Sequence, residues 1–315
     1  MPQPPLVLIC GESLLDVFAN GHTSTGMALD AVVGGSPLNV AAGIARLGLR
    51  SLFFGAVSGD FLGARIEQGI VAEGIETGAL VRCNAPTTLS LVGVDALGQP
   101  SYRFYGHGGA DRQLLPEHIA RLPHDLAALH FGSYACVVEP IASTIRALVG
   151  QRRGTSVISY DPNVRANVEP DLDAWRANID WMAGRCHLLK LSDEDLERLY
   201  PERDIDELAA GWLAAGVRLV MLTRGGQGAS AWIPAGRIDV AAPRVLVQDT
   251  VGAGDTFQAA SLVALHELGR LDPNAMATLT LDEVRRVASF AAGAAAITCT
   301  RRGPDLPRRH ELPAV

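Results

Sequence analysis

The stretch Asp249-Thr250-Val251-Gly252-Ala253-Gly254-Asp255 joins a short apolar run, residues 244–248, to a segment with helical periodicity. In that segment Phe257, Ala260, Ser261, Ala264, Leu265 and Leu268 fall on one helical face. A strand that enters a glycine-rich turn and opens a helix presents unpaired backbone N–H groups and the positive end of the helix dipole. Small residues let a phosphate come close to those amides. Asp255, in the first helical turn, stands beside this anion hole and within reach of a substrate hydroxyl. In phosphoryl transfer it would orient the hydroxyl and accept its proton, while the amides of Gly252, Ala253 and Gly254 hold the developing charge. Read as plain structure, the same residues make a glycine turn capped by an aspartate. The turn is not a Walker loop, because G-x-x-x-x-G-K-[ST] occurs nowhere in the chain.

Outward from this turn, short apolar runs alternate with longer stretches of helical period. Residues 6–10, 51–57, 128–131, 156–160, 187–191 and 219–223 read as strands, as do 244–248. Residues 39–47, 61–73, 256–268 and 281–298 read as helices. That alternation predicts an α/β fold with a parallel sheet covered by helices on both faces. Two segments break the rhythm. Residues 16–33 hold scattered glycine and asparagine breakers. Residues 87–105 alternate apolar and polar around Leu97-Gly98-Gln99-Pro100, which reads as a hairpin. Both are expected to form a small β lid over the carboxyl edge of the sheet, where open α/β sheets bind ligands. One domain spanning 1–315, with a lid from about 16–33 and 87–105, is the expected organisation.

Bulk properties narrow the function. With 315 residues and 48% hydrophobic content, the chain can bury a large core. A formal net charge of −7 argues against a nucleic-acid partner. No apolar run approaches the ~20 residues of a membrane span, and no basic-then-apolar leader is present. The five cysteines (Cys10, Cys83, Cys136, Cys186, Cys299) are scattered and form no C-x-x-C, as expected of reduced thiols in a cytoplasmic protein. Of the 27 basic residues only Lys190 is a lysine, so any phosphate-clamping lysine is Lys190.

The run from Asp249 to Phe257 resembles the C-terminal signature of the ribokinase-like (PfkB) carbohydrate kinases. Gly34-Gly35-Ser36-Pro37-Leu38-Asn39-Val40-Ala41, followed by Ala45-Arg46-Leu47-Gly48, resembles the N-terminal signature of the same family. Small departures occur at Ser261 and in Val57-Ser58-Gly59-Asp60. The resemblance runs from Gly11 to about Gly303. It implies a ribokinase-like three-layer α/β/α sandwich with a small β lid, and an ATP- and Mg²⁺-dependent kinase acting on a sugar hydroxyl.

Individual roles follow from the matched positions. Asp16, in Gly11-Glu12-Ser13-Leu14-Leu15-Asp16, matches the aspartate that hydrogen-bonds sugar hydroxyls. Gly34 and Gly35 allow close backbone approach, and Asn39 offers donors and an acceptor to a polyol. Arg165, in Asp161-Pro162-Asn163-Val164-Arg165, is placed to meet a substrate or phosphate group; a turn braced by an Asp161–Arg165 pair is the structural alternative. Ser192 and Asp195 occupy the two defining positions of the family's N-x-x-E motif, where the acidic residue organises magnesium through water. The same two residues would serve as a helix cap. Lys190 is placed to reach a phosphate, although an exposed strand-end lysine is the plainer reading. Thr223, Gly225 and Gly228 match the nucleotide loop, and Ala292 lies on the helix that walls the adenine. In some relatives an aspartate like Asp249 holds a monovalent cation such as K⁺, and the resemblance extends that option to this chain.

The lid stretch Ser101-Tyr102-Arg103-Phe104-Tyr105-Gly106-His107-Gly108-Gly109-Ala110-Asp111-Arg112 bears on the substrate. Keto-deoxygluconate kinases are similar here, but usually carry a Tyr-x-Arg or Tyr-Arg step that grips a carboxylate. In this chain Gly106 follows Tyr105. Arg103 could replace that grip only if strand alternation turned it inward, with Phe104 then facing the other way; otherwise Phe104 lines the sugar site. The implied activity is a fructokinase. The alternatives are 2-keto-3-deoxygluconate kinase, ribokinase, an aminoimidazole-riboside or nucleoside kinase, and a non-catalytic sugar-binding regulator. A homodimer clasping lid to lid would cover the exposed lid strands.

Overall fold

The computed structural model describes residues 3–94 and 100–315. Fourteen strands follow in chain order: β1 (Leu6–Cys10), β2 (Leu14–His22), β3 (Met27–Gly34), β4 (Arg50–Phe54), β5 (Ala56–Ser58), β6 (Val81–Cys83), β7 (Leu89–Val94), β8 (Pro100–Tyr105), β9 (Ala128–Gly132), β10 (Val157–Asp161), β11 (Leu188–Ser192), β12 (Leu219–Thr223), β13 (Ala229–Ile233) and β14 (Gly236–Val240). The helices are α1 (Ser36–Arg46), α2 (Phe61–Ala72), α3 (Ile141–Arg152), α4 (Leu172–Ala183), α5 (Asp193–Leu199), α6 (Ile205–Ala215), α7 (Ala253–Glu267), α8 (Pro273–Met276) and α9 (Leu281–Cys299).

The main sheet has the order β14-β13-β12-β11-β10-β9-β1-β4. From β12 to β4 every pairing is parallel, and an antiparallel hairpin, β13–β14, closes the other edge. Parallel strands buried on both faces need unbroken apolar runs, and Leu6–Cys10, all five residues buried, is one. One core cluster joins alternate strand residues such as Val7 and Ile9 to α1, α7 and α9. The other joins Leu8 and Cys10 to α3, α4 and α6. Each fully buried Leu or Ile side chain contributes roughly 1.5–3 kcal/mol of burial free energy. The sequence-based expectation of a three-layer α/β/α sandwich is met.

The second sheet, β3-β2-β7-β8, is the lid. Its register places Asp16 opposite Val32 and Ser90, with Ser90 opposite Phe104. One lid face therefore carries Asp16, Ser90 and Phe104, and Arg103 points from the other. The expected hairpin turn at Leu97-Gly98-Gln99 lies outside the described residues.

Several boundaries differ from expectation, among them the start of α7, at Ala253 rather than at 256. Residues 244–248 form no strand: Val245, Leu246 and Val247 are exposed, and the N–H groups of Gln248 and Asp249 bond instead to the carbonyl of Cys299 at the end of α9. The run 51–57 splits, because β5 leaves the main sheet to pair with β6. Helix α1 starts at Ser36 rather than at 39, with Pro37 in its first turn, where a missing N–H costs nothing.

Candidate active site

The carboxyl ends of β1, β9, β10 and β11 meet the N-termini of α1 and α7 and the base of the lid. Gly252 takes a left-handed φ of 79° and leads into α7, whose third residue is Asp255. Asp255 is 8% exposed. The Ser36 hydroxyl donates to its Oδ1 at 2.6 Å, and the Asn39 amide donates to its Oδ2 at 2.8 Å. Both carboxylate oxygens are thus oriented from the first turn of α1. The two signature segments, about 216 residues apart, meet at one carboxylate. Asn39, expected to read a sugar hydroxyl, uses one amide hydrogen on Asp255. Ser36 was not singled out in the sequence, where nothing but a hydroxyl near a helix start marks it.

Asp16 packs its carboxylate against Gly34 and stands opposite Ser90 in the β2–β7 pair. Burial raises its pKa above the ordinary value, opposed by the neighbouring Ser90 hydroxyl and the Arg165 guanidinium. Since Gly34 is only two residues before Ser36, a short backbone link joins the Asp16 contact to the Asp255 contact. Phe104 meets Tyr134 edge-on, with ring centroids 5.4 Å apart, and the Arg112 guanidinium lies 5.8 Å from each ring. Asp111, buried beside them, accepts from Thr88 and from the Tyr134 hydroxyl at 2.9 Å. Nothing in the sequence marks Asp111 or Tyr134 as partners, because they come from separate elements.

Two of the plain structural readings are overturned on the nucleotide side. Asp161 does not pair with Arg165, whose guanidinium bonds instead to the carbonyls of Asn163 and Val164. Asp161 pairs with Lys190, Oδ2 to Nζ 2.8 Å, because β10 and β11 are hydrogen-bonded neighbours with Tyr160 opposite Leu189. Nor is Lys190 an exposed strand-end lysine; it is only 3% exposed.

Ser192 caps α5 by accepting from the Asp195 N–H at 3.0 Å, and Asp195 Oδ1 accepts the Val164 N–H at 2.9 Å. The acidic residue expected near magnesium also braces the Asp161–Arg165 turn. The Thr223 hydroxyl donates to the Leu191 carbonyl at 3.3 Å, and Gly225 and Gly228 shape the exit of β12. Ala292 lies buried in α9. Asp249 accepts the N–H groups of Val251 (3.1 Å) and Gly303 (2.8 Å). Partial burial would raise its pKa, but these bonds outweigh it and hold the carboxyl below its ordinary value. Among the described residues no group of three or more His, Cys, Asp or Glu side chains is arranged to hold a metal. A divalent ion here would be held by Asp195 together with nucleotide phosphates, as is usual for magnesium.

Residues 6–310 match the pfkB family of carbohydrate kinases. The chain is 34% identical over 312 residues to a fructokinase of Rhizobium leguminosarum bv. trifolii, covering 98% of this chain and 90% of that protein. It is 30% identical to probable fructokinase-4 of Arabidopsis thaliana, covering 98% and 96%. Among solved structures, a double-mutant fructokinase from Vibrio cholerae O395 with fructose, ADP and potassium bound is 26% identical, with TM-score 0.80 over 96% of this chain and 94% of that one. The fold of a Xylella fastidiosa fructokinase with bound ATP superposes with TM-score 0.88 at 24% identity, over 97% and 96%. The chain belongs to the pfkB family of carbohydrate kinases, enzymes that phosphorylate a sugar hydroxyl.

Proposed function

We propose that this kinase is an ATP-dependent fructokinase, converting D-fructose and ATP to fructose 6-phosphate and ADP. The observation that carries the chemistry is the orientation of Asp255 by Ser36 and Asn39 at the Gly252–Gly254 turn, linked through Gly34 to Asp16 in the lid. Asp16, Asn39 and Arg165 would grip sugar hydroxyls, with Gly34, Gly35 and Phe104 shaping the pocket. Asp255 takes the proton from the attacking hydroxyl as its oxygen bonds to the γ-phosphorus. The bond from that phosphorus to the bridging oxygen breaks, and ADP leaves with the electron pair. The amides of Gly252 and Gly254 would stabilise the charge in flight, whereas the Ala253 N–H, also expected to do so, donates to the Thr250 carbonyl at 3.2 Å.

Lys190, Ser192, Thr223, Gly225, Gly228 and Ala292 would line the ATP site. Mg²⁺ would neutralise phosphate charge, with Asp195 ordering its waters. Asp249, capped by two backbone amides, is the candidate for a K⁺ site. Fructose is favoured over keto-deoxygluconate by the curated relatives and by Arg103, which points from the lid face opposite Asp16.

The whole chain acts as one kinase domain in this reading, and its five free cysteines fit the cytoplasm. No helix among the described residues is long and apolar enough to cross a membrane. The lid face bearing Asp16 continues into exposed Phe18 (41%) and Val32 (45%), which a second copy would cover.

Parallel assays with fructose, keto-deoxygluconate, ribose and adenosine test the substrate. A kcat/KM for fructose below that of any of the others would overturn the assignment. Asp255→Asn should lower kcat by roughly 10²–10⁴ with fructose affinity kept. A variant with near-normal turnover would refute the base.

A further inference from the structure

Lys190 holds an unusual position beneath the glycine turn. A methyl group placed on Gly254 would lie 3.1 Å from Lys190 Nζ. The side-chain space of Gly254 is therefore filled by an ammonium group. The Lys190 and Asp161 side chains are 4% and 3% exposed, and their bond uses one of three ammonium donors. Among the described residues Lys190 is the one buried lysine or arginine. Burial would discharge it, but the carboxylates of Asp161, Asp195 and Asp255 outweigh that and hold its pKa above the ordinary value. A buried ion pair rarely adds net stability compared with apolar packing, so stability alone gives no reason for this one. A dehydrated cation beside an anion-binding turn acts at low effective dielectric and needs little reorganisation when charge develops.

We propose that Lys190 is a catalytic cation: held by Asp161, its ammonium completes the Gly252–Gly254 anion hole and donates a hydrogen bond to the phosphoryl group in transfer. Asp161 is then a positioning residue. The ammonium stays protonated throughout; the hydroxyl proton goes to Asp255 and the electron pair to ADP, as above. The sequence suggests that glycine at 254 admits a phosphate; the structure adds that it admits the lysine. This proposal rests on the fructokinase reading and gives Lys190, already placed at the ATP site, a role in the transition state.

Because the chain has a single lysine, protein grown on Nζ-¹⁵N-lysine has one ammonium resonance. In the wild-type enzyme saturated with fructose, Mg²⁺, ADP and aluminium fluoride, that resonance should shift and its hydrogen exchange should slow. Saturation is verified by calorimetry, and an unmoved resonance in the saturated complex refutes the proposal. Lys190→Met should lower kcat by about 10²–10³ while KM for ATP changes by less than about threefold. A change confined to KM would make Lys190 a ground-state nucleotide contact and overturn the transition-state role. In Asp161→Asn the free-enzyme resonance should exchange faster, with a smaller fall in kcat than in Lys190→Met; an unchanged resonance would refute the positioning role of Asp161. The two readings fail separately. An enzyme inert on fructose whose resonance still moves with nucleotide would lose the sugar assignment and keep the lysine, whereas an active enzyme with an unmoved resonance would do the reverse.

Discussion

Glu12, two residues beyond the end of β1, sits in a place that water barely reaches: it is 1% exposed, and its Oε2 has no protein partner. Burial pushes its carboxyl up to about 8. Ser133 and Arg165 oppose that rise, and nearby Asp111 adds to it. A carboxyl whose pKa is higher folded than unfolded stabilises fully below its unfolded value, and that contribution fades as pH climbs through the folded value. The window here runs from about 4.5 to about 8. Glu12→Gln keeps the neutral shape and cannot ionise. Its thermal stability relative to wild type should improve with pH across that window, by up to about 1.4 kcal/mol per unit. A Tm difference independent of pH between 4.5 and 8.5 would show that Glu12 is charged throughout. At the same scale, Asp255 was identifiable from its own turn, but the hydroxyl of Ser36 that orients it was not.

At the scale of elements, the end of β3 is shaped by what it lacks. The Asp16 carboxylate occupies the space where a Gly34 side chain would stand. Gly34→Ala would push Asp16 out of the position proposed to hold the sugar while leaving Asp255 in place. KM for fructose should rise roughly tenfold, about the worth of one hydrogen bond to a charged group, with kcat less affected. A fall in kcat alone would mean that the change travels to Ser36 instead. Gly150 in α3 is a control, because a methyl group there meets nothing. Gly150→Ala should stabilise the fold by about 0.5–1 kcal/mol without touching catalysis, and chemical denaturation checks it. Periodicity gave α7 and α9 to within a few residues, yet promoted 244–248 to a strand. An apolar run becomes a strand only where a neighbour accepts its hydrogen bonds, and the backbone there turns to the Cys299 carbonyl.

At the scale of the whole molecule, the lid sheet leaves large apolar side chains uncovered. Phe18 and Val32 are exposed on the face that carries Asp16, and Met27, Leu29 and Tyr105 are exposed elsewhere on the same sheet. If two lids clasp, Phe18→Asp with Val32→Asp should convert a dimer to a monomer by sedimentation and raise KM for fructose. A wild-type protein that sediments as a monomer at micromolar concentration would rule the clasp out.

The sequence by itself determined the layered α/β architecture, the segments of the second sheet and the glycine turn that opens α7 at Asp255. These depend on periodicity, on glycine placement and on short contiguous motifs, all of which are local. Only the tertiary structure decided which groups meet in the site. Ser36 and Asn39 reach Asp255 because α1 packs beside α7, and Lys190 binds Asp161 rather than facing solvent because β10 and β11 are neighbours in the sheet. Strand order and helix packing bring together residues far apart in the chain, and no spacing along the sequence records that proximity.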